Sequence, residues 1–181
     1  DLYIGAEKED IDNAINELKN VPTPFSHDAE VVMFTAYGQS WAQGYDTDAY
    51  STEQIYDNLM FDTGIRNNPL ETEVVPSSLV PLVEQNGFHN WTDPDYAQKV
   101  GETPVTGQTN MVKQLLADEN RATTSNIKYQ FIGNSPGRGS MSIDGLSKGS
   151  TWYNRLIAQV QQAFDLAQNS GKTFKMLAFS W

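Results

Sequence analysis

The apolar positions of this chain form three β-prone runs separated by helical patterns. Residues 30–37 are apolar on both faces, which predicts a central strand that is covered on both sides. Residues 127–132 predict a second strand and residues 173–181 a third. Because helical segments separate the three runs, the pattern favours a parallel sheet in an α/β fold.

Two segments carry apolar residues at helical spacing. Residues 107–120 predict a helix whose apolar face comprises Met111, Val112, Leu115 and Leu116. Ser150 is suited to cap a second helix, which should end at Asn169-Ser170-Gly171. The stripe of that helix comprises Trp152, Leu156, Val160, Phe164 and Ala167.

The remaining segments are less regular. Residues 1–24 predict a short helix with Ile11, Ile15 and Leu18 on one face, followed by a linker containing Pro22 and Pro24; the main domain then covers residues 25–181. A spacing of seven residues between Ile4, Ile11 and Leu18 fits the end of a coiled coil, but three positions are too few to assign one. Residues 42–105 show little periodicity, which indicates irregular structure near a functional face, with short helices at most at 52–60 and 77–85.

The charge of the chain disfavours some partners. Its 181 residues carry a net charge of −11, so nucleic acids and anionic membranes are poor partners, whereas a neutral polymer such as a polysaccharide is compatible. The absence of cysteine excludes disulfides and thiolate metal sites. No apolar run approaches the roughly 18–20 residues that span a bilayer.

Three polar segments follow the predicted strands and should meet at the carboxyl edge of the sheet, where open α/β sheets bind ligands. They are residues 37–41, 133–140 and 179–181. Ser40 follows a buried strand, so its backbone N–H is in a position to stabilise an oxyanion. A Gly-x-Ser sequence is more often a plain loop, and Ala42 departs from the Gly-x-Ser-x-Gly pattern of a nucleophile elbow.

A longer pattern around these segments is more specific. Val31-Val32-Met33-Phe34-Thr35-Ala36-Tyr37-Gly38-Gln39-Ser40 resembles the first block of the SGNH hydrolases, in the branch that includes sialate O-acetylesterases and acetylxylan esterases. Residues 132–144 resemble the strand and glycine-rich loop of that family, residues 148–154 the entry to its next helix, and residues 176–181 the strand before its Gln-Gly-Glu block. The resemblance covers residues 30–181.

The resemblance implies a three-layer α/β/α fold with a flavodoxin-like parallel sheet, and an O-acetyl esterase that acts on a glycan or polysaccharide without a metal or cofactor. Ser40 would be the nucleophile, and the N–H groups of Ser40 and of Gly139 or Gly137 would hold the oxyanion. The implied substrate-binding residues are Gln39, Trp41, Arg138 and Asn134. Related domains occur in secreted bacterial enzymes and in phage tail proteins, which implies an extracellular or virion-associated protein and, in a tail, a homotrimer.

The resemblance also implies parts that this sequence does not contain. The family's Gln-Gly-Glu block and its Asp-x-x-His segment should follow Trp181, so we expect the chain to be the first part of a catalytic domain. A serine hydroxyl is a poor nucleophile without a base. We therefore expect the chain alone to be inactive unless another segment or chain supplies the histidine. His27 and His89 are the two histidines present, and we expect neither to be that base.

Several residues allow more than one interpretation. Aromatic residues of the irregular segment could stack on sugars or pack internally: Trp41, Tyr45, Tyr50, Trp91 and Tyr96. Acidic residues there could form a glycosidase pair, but solvated loop carboxylates are commoner: Asp46, Asp48, Asp93 and Asp95. Arg138 could contact an acidic sugar or cover its loop. For the whole chain, the alternatives to an esterase are a carbohydrate-binding module of the same fold and a structural virion protein.

Overall fold

A computed structural model describes residues 29–66, 75–87 and 99–180. The strands are β1 (Val31–Ala36), β2 (Leu59–Phe61), β3 (Leu79–Pro81), β4 (Gln130–Asn134) and β5 (Phe174–Ser180). The helices are α1 (Pro104–Glu119), α2 (Ile143–Leu146) and α3 (Thr151–Asn169), with a 3₁₀ turn at Thr124–Asn126. The predicted helix and linker over residues 1–24 lie outside the described residues.

The described strands form one sheet in the order β3-β2-β4-β1-β5. β1 pairs in parallel with β4 and with β5, β2 is parallel to β4, and β3 is antiparallel to β2. The predicted parallel sheet of three strands is therefore confirmed as its β4-β1-β5 part, and the molecule is a mixed α/β protein with a mostly parallel sheet. The second strand, expected at 127–132, begins at Gln130 instead.

The short helices predicted around 52–60 and 77–85 were wrong. These segments contain instead the three-residue strands β2 and β3, which pair with each other between Leu59 and Pro81 and between Phe61 and Leu79. Strands this short show too few alternating positions to be distinguished from other structure by periodicity. Elsewhere the described part of this segment has no regular helix or strand before α1 begins at Pro104, which confirms its predicted irregularity.

β1 is covered on both sides, as its sequence predicts, and every one of its residues is buried. Val32, Phe34 and Ala36 share a core with residues of α1 such as Val105 and Leu116. Val31 and Met33 share a second core with Ala163 and Ala167 of α3. Because side chains alternate along a strand, the two helices pack against opposite faces of the sheet.

The predicted helix at 107–120 exists, but its buried face was only partly correct. Leu116 is buried, whereas Met111 and Leu115 are exposed. Their place is taken by Thr109, whose hydroxyl donates to carbonyls within the helix, and by Lys113. Lys113 Nζ lies 2.6 Å from Asp57 Oδ1 and donates to the carbonyl of Tyr129 at 2.6 Å, so its buried charge is paired, although the Asp57 carboxylate itself is half exposed.

The second predicted helix is confirmed as α3. The Ser150 hydroxyl accepts a hydrogen bond from the Tyr153 N–H at 3.2 Å, which caps the helix as expected. Gly171, just beyond the end of α3, has a φ of +70°, a conformation that suits glycine at a helix terminus. None of the described helices is long and apolar enough to cross a membrane.

Candidate functional site

The predicted nucleophile lies in a tight turn directly after β1. Tyr37 is fully buried, and burial raises the pKa of its phenol, whose O–H donates to the Leu146 carbonyl at 3.0 Å. The chain then turns back, with the Gln43 N–H donating to the Gln39 carbonyl at 3.2 Å and the Tyr45 N–H to the Ser40 carbonyl at 2.8 Å. Ser40 is half-buried, and its hydroxyl and backbone N–H donate to no other group within the described ranges.

The glycine-rich loop after β4 packs against this turn. The Arg138 N–H donates to the Gly38 carbonyl at 2.9 Å, and the Ser135 hydroxyl donates to the Ala42 carbonyl at 2.5 Å. A Cβ added at Gly137 would lie 2.0 Å from the Gly38 carbonyl oxygen, so this position requires glycine. The two loops are thus in backbone contact at the carboxyl edge of the sheet.

The end of β5 joins the same edge. The Tyr37 N–H donates to the Ser180 carbonyl at 2.8 Å, and the rings of Tyr37 and Phe179 lie 5.7 Å apart. The segments after β1, β4 and β5 therefore come together as the sequence predicts, apart from Trp181, which lies outside the described residues.

Gln43 connects the two loops with its side chain. Its Nε2 donates to the Gly137 carbonyl at 2.7 Å, and its Oε1 accepts from the Gly139 N–H at 2.8 Å. The residue is only 4% exposed, so water cannot readily replace these bonds. The Gly139 N–H, one of the two loop N–H groups that the family resemblance offers for the oxyanion, thus already donates to an amide oxygen.

A buried ion pair between Arg66 and Glu84 bonds the backbone of the turn at Gln43. Arg66 Nε donates to the Gln43 carbonyl at 2.6 Å, and its Nη2 lies 3.2 Å from Glu84 Oε2. Glu84 Oε1 accepts from the Thr103 N–H at 2.9 Å, from the Thr103 hydroxyl and from the Thr106 hydroxyl, at the start of α1.

Burial shifts the titration of both charged groups of this pair. It raises the pKa of the Glu84 carboxyl, while Arg66 and the threonine hydrogen bonds oppose that shift. It also lowers the pKa of the Arg66 guanidinium, against the attraction of Glu84. Because each charge is desolvated, each depends on the other and on its hydrogen bonds.

The predicted substrate-binding residues differ in accessibility. Gln39 is exposed, and Trp41, next to Ser40, is 88% exposed. The interpretation that Trp41 packs internally was therefore wrong. Arg138 is half-buried, with its guanidinium carbon 5.1 Å from the centre of the Trp152 ring. Asn134 is fully buried and donates to Gln159 Oε1 at 2.7 Å, so its side chain does not face a substrate in this conformation.

The other candidates either lie outside the described residues or are exposed. His27 and His89, together with Trp91, Asp93, Asp95 and Tyr96, lie outside the described residues. Asp46 and Asp48 are exposed, as are Tyr45 and Tyr50. Within the described ranges, acidic residues do not gather in groups of three or more that could hold a metal ion.

Sequence reasoning missed Gln43, Arg66 and Glu84. Gln43 follows Ser40 by three residues. Its place on the same turn was the one sequence feature that could have marked it as part of the site. Arg66 and Glu84 stand in an aperiodic segment, where a buried charge looks like any solvated one. Comparison of the chain with family models, curated proteins and solved structures found no match in any of the three.

Proposed function

We propose that this chain carries the nucleophile-bearing part of an SGNH-type carbohydrate O-acetyl esterase, with Ser40 as the nucleophile. The observation that carries the proposal is the contact between the Ser40 turn and the glycine-rich loop at the carboxyl ends of adjacent parallel strands. The order β4-β1-β5 and the packing of α1 and α3 on opposite faces support a three-layer, flavodoxin-like arrangement.

The proposed chemistry is acyl transfer. The Ser40 hydroxyl oxygen attacks the acetyl carbonyl while a base takes its proton, and the sugar alcohol leaves with a proton from the same base. Water then hydrolyses the acetyl-enzyme to acetate. The free N–H of Ser40 would hold the oxyanion of each tetrahedral intermediate, and removing such a donor typically costs about 3–4 kcal/mol of transition-state stabilisation.

The proposal places the base outside the described residues, which contain no histidine. A histidine from another segment or from a partner chain must approach Ser40 within hydrogen-bond reach, about 2.6–3.2 Å between heavy atoms. Its proton-accepting form requires a pH above its own pKa, so turnover should fall on acidification.

The exposed indole of Trp41 supports a glycan as the substrate. An 88% exposed tryptophan beside the nucleophile leaves a flat apolar face with a polar N–H in solvent. Sugar rings present flat C–H faces that stack on such a surface. An acetylated polysaccharide outside the cell, met by a secreted or virion-borne protein, fits this arrangement and the net charge of −11.

A carbohydrate-binding module without catalysis is the second candidate. It is favoured by one observation: the Gly139 N–H, one of the two loop donors that the resemblance offers for the oxyanion, already donates to Gln43 Oε1. In this case Trp41 would still bind the glycan, but Ser40 would be dispensable.

Hydrolysis of p-nitrophenyl acetate and of an acetylated polysaccharide by the full-length protein distinguishes the two candidates. The esterase proposal predicts turnover that Ser40→Ala removes and that the control Ser125→Ala, on the 3₁₀ turn before β4, leaves unchanged. Glycan binding with equal or zero turnover in the parent and in Ser40→Ala would favour the binding module.

A further inference from the structure

We propose that Gln43 is a positioning residue that fixes the glycine-rich loop against the nucleophile turn. This inference rests on the proposed esterase function, because it assigns a role at that same site. Its basis is the pair of hydrogen bonds that one side chain makes to two residues of the facing loop, the Gly137 carbonyl and the Gly139 N–H.

The geometry of this contact matches what positioning requires. The primary amide of Gln43 has a donor NH2 group and an acceptor oxygen, and the loop presents an acceptor and a donor two residues apart. The amide therefore bonds the loop backbone through one donated and one accepted hydrogen bond, as a neighbouring strand would. Glycines at 137 and 139 restrict the loop backbone little. The Gln43 side chain therefore adds a restraint beside the Arg138–Gly38 and Ser135–Ala42 hydrogen bonds.

The backbone of Gln43 is fixed as firmly as its side chain. Arg66 Nε holds the carbonyl at 2.6 Å, and the Gln43 N–H closes the turn on the Gln39 carbonyl. Arg66 is in turn held by Glu84, which bonds Thr103 at the start of α1. A continuous set of buried polar contacts thus runs from α1 through Gln43 to the glycine-rich loop.

The Gln43 contact determines which backbone N–H groups can act on the substrate. While Gln43 accepts from Gly139, that N–H is not available to an oxyanion, so Gly139 acts through loop position and Ser40 provides the N–H donor. Loss of the restraint should slow the chemical step more than it weakens substrate binding, since catalysis depends on the position of reacting groups to within about 1 Å.

The test compares Gln43→Met in the full-length protein with the control Gln161→Met, which alters an exposed glutamine of α3. Methionine matches the length of glutamine but makes neither bond. We expect amide hydrogen exchange at Gly139, followed by NMR, to accelerate at least about tenfold. In the esterase assay we expect kcat to fall by about 10- to 100-fold with little change in KM. The control should change neither quantity.

A second variant guards against misfolding. Gln43→Asn keeps the amide but shortens its reach by one methylene, so it should fold and still lose at least one of the two bonds. If Gln43→Met does not unfold cooperatively, the same two measurements on Gln43→Asn, with smaller effects in the same directions, decide the question.

The outcomes separate the two proposals. Unchanged exchange at Gly139 in a folded variant would overturn the restraint itself, whatever the activity does. Faster exchange with unchanged kcat in an active parent would overturn the positioning role. A parent without turnover would remove the esterase proposal and with it this catalytic role, while the Gly139 measurement would still report on the contact.

Discussion

Two regions next to strand β1 differ in the polarity of their side chains. At its carboxyl end, buried polar groups meet: Gln43, Arg66 and Glu84 are almost inaccessible, and each has hydrogen-bond partners. On the flank formed by α1 and β5, apolar groups are exposed, and Phe179, Met111 and Leu115 border a groove of about 270 Å³.

This difference indicates in which region side-chain hydrogen bonds define the backbone conformation most closely. Burying charged and amide groups is unfavourable unless their partners are placed well, so a buried polar network fixes a conformation that apolar contacts alone would leave less defined. The network lies beneath the Ser40 turn, whereas the groove on the α1–β5 flank is lined mainly by apolar side chains. Variants in the two regions should therefore differ sharply in their effects.

The largest expected effect comes from breaking the buried ion pair. Arg66→Met leaves the Glu84 carboxylate without its cation and removes the bond to the Gln43 carbonyl, so we expect a loss of about 3–5 kcal/mol in the free energy of unfolding. Denaturant unfolding measures this loss. The double variant Arg66→Met with Glu84→Gln should recover part of the stability, and a single variant as stable as the parent would contradict the role of the pair.

Neighbouring leucines of α1 provide the next contrast. Leu116 is 4% exposed and Leu115 is 53% exposed. Leu116→Ala should cost about 2–5 kcal/mol because it leaves a cavity in the core between α1 and the sheet. Leu115→Ala, on the exposed flank, should change the stability by no more than about 0.5 kcal/mol. Equal costs in thermal or denaturant unfolding would mean that the flank is covered in solution.

Ser140 offers a smaller effect within the site region. It has a φ of +62°, in the left-handed region that favours glycine. Ser140→Gly should relieve this strain and raise the free energy of unfolding by up to about 1 kcal/mol. The control Ser125→Gly, whose φ is not positive, should be neutral or slightly destabilising. A destabilised Ser140→Gly would argue against the left-handed conformation.

The smallest effect concerns pH. Partial burial alone would raise the pKa of Asp62, but hydrogen bonds from Ser77 and Ser78 outweigh it and hold the pKa below the ordinary 3.8. A lowered pKa in the folded state contributes stability that is present above the ordinary pKa and lost as the pH falls through the folded one. Asp62→Asn should therefore be less stable near neutral pH and lose less stability on acidification. Parallel pH profiles of unfolding would contradict this assignment.

The sequence predicted the regular part of the fold because its signals are long and local. The run at 30–37 and the stripe from Trp152 to Ala167 extend over enough positions to define a strand and a helix. The face of α1 was misjudged because Lys113 is buried by distant partners, Asp57 and the Tyr129 carbonyl, that no local pattern reveals.

For the candidate site, the sequence predicted the meeting of the loops but not their side-chain contacts. The meeting of the Ser40 turn and the loop at 133–140 follows from parallel strands, whose carboxyl ends share one edge. The occupation of the Gly139 N–H by Gln43 depends on side-chain packing between two loops whose residues are 96 positions apart. The burial of Asn134 depends on its bond to Gln159 of α3, 25 positions further along the chain. Neither contact has a signature in one segment alone.

The most direct test of the central claim is the site at which a fluorophosphonate attaches to the full-length protein, mapped by mass spectrometry of its peptides. An activated serine displaces fluoride from this reagent and keeps the phosphonyl group. We predict one modified serine, Ser40, and no modification in Ser40→Ala. Modification of a different serine, or hydrolysis of the acetyl ester by a protein whose Ser40 stays unmodified, would contradict the assignment of Ser40 as the nucleophile.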